Sequence, residues 1–108
     1  MKLSEAILKG CQMIPIQCKH AFFRKWAPVP ETIPRTILAR AYRPTEACAL
    51  GAAYIGERGI EAVQDHVEAL DEYLELLPKG LVVRVAHWND TKELSREEIA
   101  AKLDEMGY

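Results

Sequence analysis

Four residues suited to binding or catalysis stand side by side at His87, Trp88, Asn89 and Asp90, within the stretch VAHWNDTKELSREE at 85–98. An imidazole can carry protons or ligate a metal, a carboxamide or carboxylate can orient it, and an indole can close an apolar wall. With Cys48 they could make a trio of thiolate nucleophile, histidine base and orienting group. Cys48 stands near the start of an expected helix, where the helix dipole would lower its pKa. Two bland readings stand beside this one. The thiol is embedded in ACALGAA, a run that reads as core. An asparagine–aspartate pair before a helix is also how a turn bonds backbone N–H groups, with Trp88 plugging the junction against the core.

Metal chemistry fits poorly. Counting from His87, Glu98 falls where the bidentate glutamate of a calcium loop belongs, with Asn89 and Thr91 at earlier ligand positions. Histidine stands where the first aspartate is needed, and Lys92 where a glycine is needed. Cys11, Cys18 and His20 lie close together, and Cys48, His66 and His87 are scattered, but there is no C-x-x-C and no H-E-x-x-H. No phosphate loop, dinucleotide fingerprint or G-x-S-x-G elbow occurs, so no cofactor is expected. The odd number of cysteines, three, excludes a complete disulfide framework and suits reduced thiols in the cytoplasm.

A second group with chemical potential is KHAFFRKW at 19–26. Lys19, His20, Arg24, Lys25 and Trp26 interleave charge with aromatic surface, which can pair phosphate contact with base stacking. The sequence pI of about 5.9 and the acidic second half argue against nucleic acid. The net charge of −2 hides an asymmetry: residues 1–43 hold eight basic and two acidic side chains, and the rest carries a balance of −8. Such a split marks an anionic partner on one side or, the favoured reading, two halves attracting each other across one domain or across a dimer.

These residues must be positioned by a small set of elements. A chain of 108 residues, 49% hydrophobic and 28% charged, suits one domain with its own core. No apolar run approaches the roughly 20 residues of a membrane span, and MKLSEAILKG lacks the apolar length of a signal peptide. The first helix is expected to begin at Ser4 as cap, with Leu3, Ile7, Leu8, Cys11 and Ile14 at helical spacing and Pro15 as terminator. The proline-rich stretch 15–34 reads as irregular, with a short strand or turn around Ala21–Trp26. Residues 34–42 read as a short helix. Thr45 is expected to cap a central helix whose residues Ala47–Ala53 are small and apolar all round, close-packed through Gly51 and stopped by Gly59.

Ile60, Val63, Val67, Leu70, Leu74 and Leu77 form an apolar stripe backed by acidic residues between 61 and 75. That acidic face is solvated, or else docks a basic partner. LVVRVAHW at 81–88 reads as a strand because of its β-branched valines, a continued helix being the alternative. Ser95 and Glu98 make a capping box for a last helix with Ile99 and Leu103 inward.

Three stretches in order, LSEAI at 3–7, CALGAA at 48–53 and ND followed by SREEI at 89–99, carry a resemblance. The chain resembles a loose group of small bacterial and phage-associated proteins of unknown function, about a third of its length being involved. In that group a C-A-L-G-A helix and an asparagine–aspartate turn precede an [S/T]-R-E-x-I/V helix. Some members carry a paired-cysteine insert before the final turn, which this sequence lacks. The resemblance implies architecture and brings no activity.

The expectation is a mainly α single domain of four to five helices, with room for one short strand or hairpin. It is expected to act as a non-enzymatic accessory or protein-interaction module, with a protein or a second copy of itself as partner. The alternative is a ligand-binding or enzymatic domain centred on Cys48 and His87–Asp90, and a second alternative is nucleic-acid contact through the basic aromatic loop 19–26. An interaction module predicts an exposed Trp26 and no deep pocket, and an enzyme predicts Cys48, His87 and Asp90 together at a cleft.

Overall fold

The computed structural model of the chain describes residues 1–28, 42–60 and 67–108. Among them are five helices and one small sheet: α1 (Leu3–Met13), β1 (Ile16–Gln17), β2 (Phe23–Pro28), β3 (Tyr42–Ala47), α2 (Ala49–Arg58), α3 (Val67–Glu75), α4 (Leu81–Asp90) and α5 (Arg96–Glu105). The domain is mainly helical as expected, but its β part is a three-stranded sheet in the order β1-β3-β2. β1 runs parallel to β3, pairing Ile16 with Glu46 and Gln17 with Ala47. β2 runs antiparallel to β3, from Phe23 opposite Ala47 to Pro28 opposite Tyr42.

The middle of the molecule is α2. From Ala49 to Gly56 every residue is buried, as a helix of small apolar residues requires. α1 lies directly on it. A Cβ added to Gly10 would stand 1.8 Å from the Ala52 carbonyl oxygen, and one added to Gly56 would stand 1.9 Å from that of Ala6. The two backbones thus touch through Ala6 and Gly10 on one side and Ala52 and Gly56 on the other. Ile7, Leu50, Val85, Ile99 and Leu103 fill the core around this contact. Tyr54 and Tyr73 meet edge to face, 5.6 Å between ring centres, and bring α3 onto α2.

Several local expectations hold. Ser95 Oγ accepts from the Glu98 N–H at 3.0 Å while the Glu98 carboxylate accepts from the Ser95 N–H at 3.2 Å, a complete capping box. Ile99 and Leu103 point inward. On α3, Leu70 is buried and Leu74 packs on the core, while Asp71, Glu72 and Glu75 face water. Val63 and the acids at 61–66 lie outside the described residues, as does most of the helix expected over 34–42.

Four expectations are corrected. Residues 81–88 are helical, not a strand: Leu81, Val85 and Asn89 recur every four residues as the buried face of α4. The polar Asn89 completes that stripe, so a count of apolar positions misses it. Thr45 does not cap α2. Pro44 favours extended backbone before it, Thr45 sits in β3 donating its hydroxyl to the Lys25 carbonyl at 2.6 Å, and the cap passes to Cys48. Ser4 is buried inside α1 rather than capping it, and its backbone N–H donates to the Tyr108 carbonyl at 3.1 Å. Asn89 and Asp90 close α4 and form no turn.

The α1–α2 contact leaves no space for a methyl group. Gly10→Ala is expected to lower stability by about 3 kcal/mol by forcing the helices apart, read as a fall in the urea midpoint without a change in slope.

Candidate functional site

The end of α4 and the start of α2 meet the turn after β1. Asn89, only 1% exposed, is the hinge pin of this junction. Its Oδ1 accepts from the Ala49 N–H at 3.1 Å and from Gln17 Nε2 at 2.8 Å. Its Nδ2 donates to the Cys18 carbonyl at 2.9 Å and to Asp90 Oδ1 at 2.8 Å. The parallel ladder between β1 and β3 ends with the Cys18 N–H donating to the Ala47 carbonyl at 3.3 Å. The next rung of such a ladder would join the Cys18 carbonyl to the Ala49 N–H. The Asn89 carboxamide stands in that gap, bonding each group as an inserted peptide unit would.

Gln17 extends the network. Its Nε2 also donates to the Leu94 carbonyl at 2.9 Å, and its Oε1 accepts from the Arg96 N–H at 3.2 Å. Arg96 is 2% exposed. Its guanidinium donates to the carbonyls of Ile14 at 2.7 Å, Pro15 at 2.6 Å and Ala47 at 3.2 Å. Its Nε is buried without a hydrogen-bond partner among the described residues. Gln17 stands in no motif, and the SREEI stretch that holds Arg96 marks a helix start without assigning its guanidinium a role.

Beside the Asn89 junction lies a recess of about 370 Å³. α4 supplies Val82, Val85, Ala86, Asn89 and Asp90, α2 and its cap supply Leu50 and Cys48, and the turn supplies His20, Ala21 and Phe22. Its walls are therefore mostly apolar, with polar groups gathered at one end, the composition of a small-ligand site. Gly51 lets the turn come close: a Cβ there would stand 2.4 Å from the Phe22 carbonyl oxygen. That oxygen accepts from the Cys48 N–H at 3.0 Å.

The polar end is built around Asp90. Its Oδ1 accepts from the His20 backbone N–H at 3.0 Å as well as from Asn89, and its Oδ2 stands 3.8 Å from His20 Nδ1. His20 holds a left-handed backbone, φ 60°, to make that contact. Partial burial pushes the Asp90 carboxyl up, but the His20 N–H, the Asn89 amide and the charges of His20 and Lys19 together outweigh it and hold the pKa below the ordinary value. Asp90 is therefore a fixed anion at neutral pH.

Cys48 behaves otherwise than its place at a helix start suggests. Burial pushes its thiol up to about 11, against the lowering effect of the Gly51 and Leu50 N–H groups. Its Sγ accepts from the Gly51 N–H at 3.4 Å as the α2 cap. Cys48, Asn89 and Asp90 thus come together at the recess. His87 does not: it is exposed on α4 and lines no part of it. Trp88 packs half-buried against the core with the Lys102 ammonium 5.8 Å from its ring centre. His20, weighed from sequence in a basic stretch and beside Cys11 and Cys18 as a metal ligand, occupies the place at Asp90 that His87 was considered for.

The stretch 19–26 is divided in its duties. Lys19 pairs with Glu93 at 2.9 Å and Lys25 with Glu46 at 3.1 Å, so both ammonium groups already face carboxylates. Arg24 is exposed on β2, and Trp26 is 47% exposed with its ring edge to face on Phe23 at 6.2 Å. Among the described residues no three His, Cys, Asp or Glu side chains are placed to share a metal ion, and no helix is long and apolar enough to cross a membrane.

Two measurements test the junction. Asn89→Asp removes the donor to the Cys18 carbonyl and sets a second negative charge beside Asp90. It is expected to cost about 3 kcal/mol at pH 7, from the lost donor and an uncompensated buried charge, with partial recovery near pH 4 in urea denaturation. Asp90 contributes stability above its unfolded pKa, which lies near 3.8, and loses it as pH falls through the lower folded value. Asp90→Asn is therefore expected to be less stable than the parent at pH 7 and to show a flatter acid limb below about pH 4.

No protein-family profile matches the chain, no curated protein is significantly similar to it, and no solved structure matches it. Function is read from the site itself.

Proposed function

We infer that the protein is a non-enzymatic binding module whose site is the recess between the 20–22 turn, the start of α2 and α4. The observation that carries this reading is the union of a 370 Å³ apolar recess with one ionised carboxylate, Asp90, held rigidly at its polar end. Its occupant is a small apolar group bearing a cationic or strongly donating nitrogen. The apolar part displaces water from Phe22, Leu50, Val82, Val85 and Ala86, and the nitrogen donates to Asp90 Oδ2. The His20 ring, 70% exposed in its side chain, can turn into water to admit it. Binding is favoured over catalysis because the Cys48 thiol is kept protonated and is engaged as a helix cap, and because His87 stands away from the recess.

A protein partner is the second reading, supported by the exposed rim. Phe22 is 37% exposed and Val83, which follows Val82 on α4, is 72% exposed. Trp26, 47% exposed, adds apolar surface on the neighbouring strand. The occupant of the recess is then a side chain of that partner, and a lysine or arginine with an apolar neighbour meets the same chemistry. The cytoplasm is the compartment proposed for this module, in keeping with three unpaired thiols.

Titration of ¹⁵N-labelled protein with benzylamine and n-butylamine tests the reading. Amide shifts are expected at Ala21, Phe22, Leu50 and Ala86, with a Kd of about 1 mM, as suits ligands of so few atoms. Benzoate and butyrate are expected to bind at least tenfold more weakly, and Asp90→Asn to abolish the preference. Equal affinity for amines and acids, or shifts away from the recess, would sink it.

A further inference from the structure

We propose that Cys18 and Cys48, the latter in the lining of the recess, are a disulfide-forming pair, a modification site that a low-molecular-weight disulfide can oxidise. Two observations set the two residues side by side, and a third concerns access. The parallel register pairs Ile16 with Glu46 and Gln17 with Ala47, so the next step along both chains sets Cys18 beside Cys48. Neighbouring strands lie about 4.8 Å apart, within the range of Cα separations that a disulfide spans. In-register neighbours of a parallel pair also send their side chains to the same face. The Cys18 N–H bond to the Ala47 carbonyl, 3.3 Å, holds the chains together at this point, one rung before Asn89 parts them.

The second observation is a shared carbonyl. The Phe22 oxygen accepts from the Cys48 N–H at 3.0 Å and lies 3.9 Å from Cys18 Sγ. The Cys18 thiol donates to the Ala21 carbonyl at 3.3 Å, which turns it toward the segment that lines the recess. The third is access. Cys48 is only 7% exposed but belongs to the lining of the recess, which is the route by which a small reagent would meet it. Cys11 is set apart on α1, half-buried and beside Glu97, and serves as an internal reference.

The exchange balances as follows. The Cys48 thiol loses its proton to solvent, and the thiolate attacks one sulfur of the small disulfide, breaking that S–S bond and releasing one small thiolate. The Cys18 thiol, deprotonated in turn, attacks Cys48 Sγ and releases the second. Two protein thiols are oxidised by two electrons to one cystine, and the small disulfide is reduced to two thiols. Both thiols have raised pKa values because of burial, so the reaction accelerates as pH rises from 7 toward 10. The product removes Cys48 Sγ from the Gly51 N–H and ties the end of β1 to the start of α2. This inference does not depend on what the recess binds.

The test uses the native chain and oxidised glutathione at pH 8.5, followed by iodoacetamide under denaturing conditions and cyanogen bromide cleavage after Met13. The fragment ending at Met13 is expected to carry an alkylated Cys11. The fragment 14–106 is expected to be unalkylated and two hydrogens lighter than its reduced form. In Cys18→Ser the glutathione adduct on Cys48 is expected to persist, because no thiol resolves it. Alkylation of both cysteines in fragment 14–106, a lasting glutathione adduct in the parent chain, or a bridge that includes Cys11 would overturn the proposal.

Discussion

The Asn89 carboxamide is the contact on which the rest of this arrangement depends. A parallel pair of strands must part where one of them turns into a helix, and parting leaves a carbonyl and an N–H without partners. Buried, each would cost about 1–3 kcal/mol. Asn89 meets both, the Cys18 carbonyl with its amide and the Ala49 N–H with its oxygen. A carboxamide has the donor and acceptor geometry of a peptide unit, which no carboxylate or hydroxyl reproduces. The position of α4 follows from it. Val82, Val85 and Ala86 become a wall only because Asn89 fixes the end of their helix, and Asp90 becomes a fixed anion because the adjacent residue is immobile.

A second constraint lies on the far side of β1. Arg96 places a permanent charge in a nearly dry environment with three backbone carbonyls around it. A buried charge normally needs a counter-ion. Here the carbonyl dipoles at the end of α1 and along β3 do that work, and the planar fork of arginine reaches three of them at once. Gln17 joins the two constraints, since it touches Asn89 with one atom and the Arg96 backbone with another. The binding recess and the buried cation are thus parts of one hydrogen-bonded frame.

How much of this was legible in the sequence differs by element. The last helix was legible because its start is local: Ser95 and Glu98 bond each other across three positions. The character of α2 was legible because small residues on every side can only be buried. α4 was misread as a strand because three valines outweigh the four-residue spacing when a polar residue ends the buried stripe. β3 was misread as the start of a helix because Thr45 has the chemistry of a cap, and only its pairing with β2 decides otherwise. At the site, Cys48, Asn89 and Asp90 were named from residue type alone and do converge. His20 at Asp90, and Gln17 at Asn89, come from 70 and 72 positions away, which no local pattern can foresee.

The Arg96 frame also sets an order of events on the ribosome. The carbonyls of Ile14 and Pro15 wait for a guanidinium that lies 82 and 81 positions later in the chain. At a synthesis rate of about 5–20 residues per second, that gap lasts on the order of ten seconds. Throughout it α1 and β1 can be helical or extended but cannot be sealed. Until then the carbonyls at the end of α1 and the start of β1 lack the donor that Arg96 gives them, so this corner of the frame is completed only once α5 has been made.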